Sequence, residues 1–119
     1  MQKPKRSKYN ARKTVVDGIR FDSKAEAKRY QELKMLERAG EVKELQLQYI
    51  YPLMVPGVGN GGAYERVCVG KYIADFRYRK GPRGLLMVED VKGVKTAIYR
   101  LKKKMVEAQY NITITEVAR

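Results

Sequence analysis

Asp75, Asp90 and Lys92 are the residues of this sequence best placed to do chemistry. Asp75 lies in Tyr72-Ile73-Ala74-Asp75-Phe76-Arg77-Tyr78, and the other two lie in Val88-Glu89-Asp90-Val91-Lys92-Gly93. Both segments read as strands. Side chains alternate faces along a strand, so Asp90 and Lys92 point one way and Glu89 the other. A turn over Lys80-Gly81-Pro82-Arg83-Gly84 makes the two strands neighbours and brings Asp75 beside Asp90. Two carboxylates and an ammonium group then converge at strand ends. Hard divalent cations such as Mg²⁺ prefer oxygen ligands of this kind. A lysine beside them can orient a water or stabilise charge developing on a phosphate. The simpler account of Asp90-x-Lys92 is a salt bridge on an exposed strand face. The apolar run Leu85-Leu86-Met87-Val88 weighs against it. Charges placed beside such a run are destabilising unless they have partners or a task.

Glu26 is a fourth candidate. It lies in a segment rich in Ala, Glu, Lys and Leu that begins at Asp22 or Ser23 as a cap and stops at Gly40. At 100° per residue, Glu26, Tyr30 and Leu33 fall on one stripe, which turns Glu26 toward the sheet in the first helical turn. Ser23-x-x-Glu26 is also a capping-box pattern, so a purely structural role competes with a role in the site.

The elements that must position these residues follow from turn chemistry and periodicity. Thr14 to Phe21 predicts a hairpin about Asp17-Gly18, a pair suited to a type I′ turn. After the first helix, Val42–Tyr51 reads as a strand ended by Pro52, and Val55–Gly62, with five glycines or prolines, as a loop. Tyr64–Val69, Tyr72–Tyr78 and Leu85–Val91 read as strands, the last one central. Thr96 to about Gln109 is a second helix with Ala97, Ile98, Leu101, Met105 and Ala108 at helical spacing, and Ile112–Val117 closes as a strand. The fold class is α/β or α+β around one mixed sheet, in a single domain over residues 14–119.

These residues resemble the core of the PD-(D/E)XK, or restriction-endonuclease-like, nuclease superfamily. The resemblance spans about Thr14 to Val117. Asp75 corresponds to the signature Asp, preceded by Ala74 where the family often has Pro. Asp90-Val91-Lys92 corresponds to (D/E)-x-K, and Glu26 to the first-helix glutamate. The phrases Thr14–Ser23, Tyr72–Tyr78, Val88–Gly93 and Lys102–Tyr110 are similar to a family of small phage-borne proteins of uncharacterised function. The resemblance implies an αβββαβ core, with Mg²⁺ (or Mn²⁺ in its place) held by Asp75, Asp90, the Val91 carbonyl and Glu26. It also implies a catalytic Lys92, hydrolysis of DNA phosphodiesters leaving a 5′-phosphate, a role in recombination, repair or processing, and action in the cytoplasm of a bacterial host. Resolution of branched DNA such as Holliday junctions by a homodimer is the form this takes in small members. Which of Glu89 and Asp90 is the ligand stays open, with alternation favouring Asp90.

Composition agrees with a polyanionic partner. The chain of 119 residues carries 26 Lys+Arg against 13 Asp+Glu, a formal net charge of +13, with a 44% hydrophobic content that can supply a core. It has no histidine, which removes histidine triads and histidine-held zinc, and one cysteine, Cys68, which permits no internal disulfide. No apolar run is long enough to span a membrane, so a cytoplasmic protein is expected. Residues 1–13 form a basic arm with Lys3, Lys5, Arg6, Lys8, Arg12 and Lys13. Two further basic groups, Arg77, Lys80 and Arg83 about the turn and Lys95, Arg100, Lys103 and Lys104 on the second helix, are the expected DNA-binding residues. From Arg66 onward there are 13 basic residues against five acids, three of which are Asp75, Glu89 and Asp90. Gly57-Val58-Gly59-Asn60-Gly61-Gly62 has no Lys-Ser/Thr and leads into no helix, which excludes a P-loop. A non-catalytic nucleic-acid-binding module of the same fold, and a structural adaptor, are the competing functional readings. A degenerate module is expected to lose a carboxylate or the lysine, and all four residues are present.

Overall fold

A computed structural model of the chain describes residues 13–119. All but the last residue of the basic arm lies outside the described residues. The described chain is an α+β domain. A hairpin, β1 (Thr14–Val16) and β2 (Ile19–Phe21), leads into helix α1 (Lys24–Arg38). Strands β3 (Val42–Val58), β4 (Tyr64–Lys80) and β5 (Leu85–Lys92) follow, then α2 (Ala97–Tyr110) and β6 (Ile114–Ala118). From α1 onward the order is αβββαβ. The four long strands form one mixed sheet in the order β3-β4-β5-β6, antiparallel except for the β5–β6 pair. A parallel pair needs a crossover, and α2 supplies it.

Local chemistry accounts for most boundaries. Asp17 and Gly18 both take positive φ, 53° and 76°, as a type I′ turn requires. Ser23 caps α1 by accepting from the Glu26 N–H at 3.1 Å, and Gly40, at φ 80°, follows its C-terminus. Thr96 caps α2 in the same way, accepting from the Tyr99 N–H at 3.1 Å.

Two expectations are corrected. Pro52 does not end β3, and 55–58 is not loop. The strand stays paired with β4 through Pro52↔Lys71 and, after a one-residue register shift between Leu53 and Met54, through Pro56↔Arg66 as far as Val58↔Tyr64. β3 is an edge strand, where a residue without an N–H is tolerated on the unpaired side. Only 59–63 connects the strands, and β4 runs unbroken where two strands were predicted. The second correction concerns α2, which buries Tyr99 and Val106, while Ile98 and Leu101 are 68% and 59% exposed. Its inward stripe therefore runs through Tyr99, Lys102, Lys103 and Val106. The lysine stems pack and their ammonium groups reach outward, and the Tyr99 hydroxyl donates to Glu116 at 2.9 Å. These polar partners sit on the sheet, which draws the helix to that face.

The core is double. Ala27, Tyr30 and Leu33 of α1 pack with Phe21, Val42, Phe76, Tyr78 and Val91, and α2 packs with Tyr51, Leu53, Tyr72, Ala74, Val88 and Ile114. Val88 and Val91 are an odd number apart on β5 and face different helices, so α1 and α2 cover opposite faces of the sheet. Along β4, however, Ala74 and Phe76 face different cores although alternation would put them together. The inversion lies beside Gln48, whose φ of 52° breaks the pleat of β3 between Leu47↔Phe76 and Tyr49↔Ala74. Asp75 sits at this twist.

Candidate active site

The β4–β5 ladder ends at Phe76↔Glu89, just short of Asp75. There the Asp75 side chain takes over from the backbone, and its Oδ2 accepts from the Val91 N–H at 2.8 Å. Gln48 Nε2 donates to Oδ1 at 3.4 Å. Asp75 is thus fixed from β3 and β5 together. Burial raises its pKa above the ordinary value, and the Val91 bond and Lys92 partly oppose that shift.

Asp90 is 1% exposed, and neither of its carboxylate oxygens has a hydrogen-bond partner. The nearest countercharge is Lys92 Nζ, 3.9 Å from Oδ1. Burial pushes the Asp90 pKa up to about 6, against the pull of Lys92 and a weaker one from the Asp75 N–H, which closes no hydrogen bond. A buried carboxylate without donors is costly unless something of opposite charge completes it. Lys92 itself is half-buried, with Nζ 4.6 Å over the Tyr99 ring.

Glu89 is committed elsewhere. It accepts both Arg29 Nε and Nη2 at 2.8 Å and also binds the Tyr78 hydroxyl. This bidentate pair ties α1 to β5 on the face away from Lys92. It raises the Arg29 pKa, while burial, then the Glu89 bond, lift Tyr78 to about 12. Of the two adjacent acids, Asp90 is the one whose carboxylate makes no hydrogen bond, with Lys92 at 3.9 Å as its loose ion-pair partner.

Glu26 is buried in the first turn of α1, and only half of the capping box forms. The Ser23 hydroxyl accepts from the Glu26 N–H. Among the described residues the Glu26 carboxylate makes no hydrogen bond in return. It instead lines a cleft of about 330 Å³ with Asp22, Asp75, Val91, Lys92 and Arg119. Burial first, then repulsion from Asp75 and Asp22, push its pKa up to about 7. Asp22, Gln48 and Arg119 were not singled out in the sequence. No local pattern marks Gln48 or Arg119, and Asp22 reads in sequence only as a helix cap.

The cleft therefore gathers Glu26, Asp75, the Val91 backbone and Lys92, with Asp90 buried on the other side of Lys92. Among the described residues no three carboxylates converge as a dedicated metal cage. The donor set is still all oxygen, and the unpartnered Asp90 oxygens fit a hard cation.

The basic residues divide. Lys95 and Lys103 both pair with Glu116 at 3.4 Å, beside the site. Arg100 and Lys104 are exposed on the outer side of α2. Arg77 is held by Tyr51, by Gln46 at 2.7 Å and over the Tyr49 ring at 4.4 Å. Lys80 and Arg83 are exposed at the hairpin turn, about 17 Å along β5 from Asp90 at the usual strand rise. No helix among the described residues is long and apolar enough to cross a membrane.

Over residues 6–119 the sequence matches the family described as a protein of unknown function, DUF1064. No curated protein and no solved structure matches it.

Proposed function

We propose that this chain, which belongs to the DUF1064 family, is a divalent-cation-dependent endonuclease that hydrolyses DNA phosphodiesters. The observation that carries the proposal is the state of Asp90. It is fully buried without a hydrogen bond, one strand over from a carboxylate held by Val91 and Gln48 and 3.9 Å from a lysine. A tight structural ion pair would hydrogen-bond its carboxylate oxygens, as Arg29 does those of Glu89, whereas Lys92 stands off at 3.9 Å. A cation-binding carboxylate leaves them open.

Asp75, Asp90 and the Val91 carbonyl are the residues that would hold Mg²⁺, with Glu26 across the cleft as a direct or water-mediated contributor. When bound, the cation supplies Lewis-acid polarisation of the phosphate and an acidified water. The chain's own residues do the rest. Lys92, at the border between the cleft and Asp90, orients the attacking water and stabilises the added negative charge on the phosphoryl oxygens. Water oxygen bonds to phosphorus as the bond to the 3′-oxygen breaks. The water's proton leaves to solvent or a cleft carboxylate, and the departing 3′-oxygen takes up a proton, leaving a 3′-hydroxyl and a 5′-phosphate. Glu26, with its pKa near 7, can hold or release a proton near neutral pH. The net charge of +13 supports a polyanionic substrate.

The test is incubation with linear duplex, single-stranded, flapped and four-way-junction DNA in Mg²⁺, Mn²⁺ or EDTA. Cleavage of one of these in Mg²⁺ or Mn²⁺, abolished by EDTA, is the expected result. Cleavage that persists in EDTA overturns the cation mechanism, and tight binding with no cleavage in either metal makes the chain a binding module. Branched DNA cut by a dimer is the form expected from the superfamily resemblance.

A further inference from the structure

A second cleft, of about 320 Å³, opens on the other side of Lys92 and Thr96, which line both. Its walls include Lys71 of β4 and Lys102 of α2, neither assigned a role so far, together with Tyr72 and Tyr99. Three lysines thus surround one buried carboxylate, Asp90, and the field in the cleft favours an anion.

Three separate features point to the same ligand. The first is the start of α2, a 14-residue helix with no acid in its first turn. Thr96 caps only the Tyr99 N–H, so the Ala97 and Ile98 N–H groups keep the lone-donor character of a helix start. No acid of α2 itself offsets the positive end of its dipole. The second is Tyr72, 4% exposed, whose hydroxyl is buried with no hydrogen-bond partner. A buried phenol without a partner is unfavourable unless a ligand accepts its proton. The third is Thr96, whose oxygen accepts from Tyr99 and whose O–H is left to donate. Lysine ammonium groups, helix N–H groups and two hydroxyls are the donors that phosphate oxygens take.

We propose that this second cleft is a phosphate-binding subsite that holds the phosphodiester next to the one cleaved. The inference rests on the nuclease reading for the source of the phosphate. A strand lying across the Lys92–Thr96 border presents one phosphate to the carboxylate cleft and its neighbour to the lysine cleft. Lys71 and Lys102 then set the position of the strand while the carboxylates act on it.

The experiment measures binding of a DNA duplex in EDTA, where no cleavage occurs, over a range of salt concentrations. It compares wild type with Lys71→Ala/Lys102→Ala and with Tyr72→Phe. The double variant should bind about tenfold more weakly, with a salt slope shallower by about 1, as for one lost phosphate contact. Tyr72→Phe removes only an unpartnered hydroxyl, so it should weaken binding while leaving the unfolding midpoint unchanged or raised. Amide NMR adds a second readout, with the Ala97 and Ile98 signals moving on titration with DNA. Affinity and slope unchanged in both variants overturn the subsite, even if wild type cleaves DNA and the nuclease reading stands. Weakened binding in a protein that cleaves nothing supports the subsite and removes the nuclease reading. Inorganic phosphate that moves these amides while the variants bind DNA normally identifies a free-phosphate site and overturns the DNA assignment.

Discussion

Replacing Asp90 with asparagine should make the cation-free protein more stable while removing its activity. Asp90 is buried, its oxygens have no hydrogen bonds, and burial lifts its pKa from 3.8 to about 6. A shift of about two units corresponds to about 3 kcal/mol of destabilisation once the group is ionised in both folded and unfolded chains. Asparagine keeps the shape and removes the charge, but its amide inherits the lack of partners, at about 1 kcal/mol. The expected net gain for Asp90→Asn is about 2 kcal/mol near pH 8, or roughly 8 °C in Tm for a domain of this size. Because the folded pKa is the raised one, this carboxyl costs nothing below the unfolded value of 3.8. Its cost grows as pH rises and is complete above about 6, so the advantage of the variant should be lost on acidification and turn into a deficit of about 1 kcal/mol near pH 3, where only the amide cost remains. Urea unfolding in EDTA at both pH values measures this directly. Adding Mg²⁺ should then stabilise wild type and leave Asp90→Asn unmoved, since a ligand stabilises only the state that binds it. A variant less stable than wild type near pH 8 in EDTA refutes the reasoning, because it means that the Asp90 charge has a stabilising partner.

Arg29→Ala strips Glu89 of its bidentate partner and should destabilise the domain by about 3–5 kcal/mol in urea unfolding, and a loss below about 1 kcal/mol contradicts the reading of that pair. Glu89→Gln should weaken the domain yet retain cleavage within a few-fold, whereas complete loss of cleavage in a folded variant would move the ligand role from Asp90 to Glu89. Lys92→Ala should slow cleavage by about 10²–10³ while DNA binding in EDTA changes by less than about fivefold, and equal losses in both would make Lys92 a binding residue. Thr96→Val should cost about 1 kcal/mol through the lost α2 cap, read as a shift in the urea midpoint.

The sequence carried the turns, the helix starts and the alternation of β5 because short-range rules govern them. Asp17-Gly18, the Ser23 and Thr96 caps and the turn at 80–84 depend on a few adjacent residues, and each appears where its chemistry requires. Strand alternation separated Glu89 from Asp90 correctly, since the two do face opposite sides of the sheet. The sequence failed where position in the sheet decides. Pro52 and Pro56 read as strand breakers because nothing local reveals that β3 is an edge. The face of α2 was misjudged because Tyr99, Lys102 and Lys103 look polar until Glu116 and the sheet are placed beneath them. The same limit hid Gln48. Its positive φ inverts the pleat beside Asp75, and that effect depends on its partner strand rather than on any neighbour in sequence. The second cleft was invisible for the same reason, since Lys71 and Lys102 meet only when α2 closes over β4.

The most direct test of the account is cleavage of the best-cut DNA by wild type, Asp75→Asn and Asp90→Asn in parallel, each folded by circular dichroism, with Mg²⁺ present. The account predicts that wild type yields products ending in 5′-phosphate and that both variants yield none while still binding the DNA in EDTA. Undiminished cleavage by either variant would contradict it.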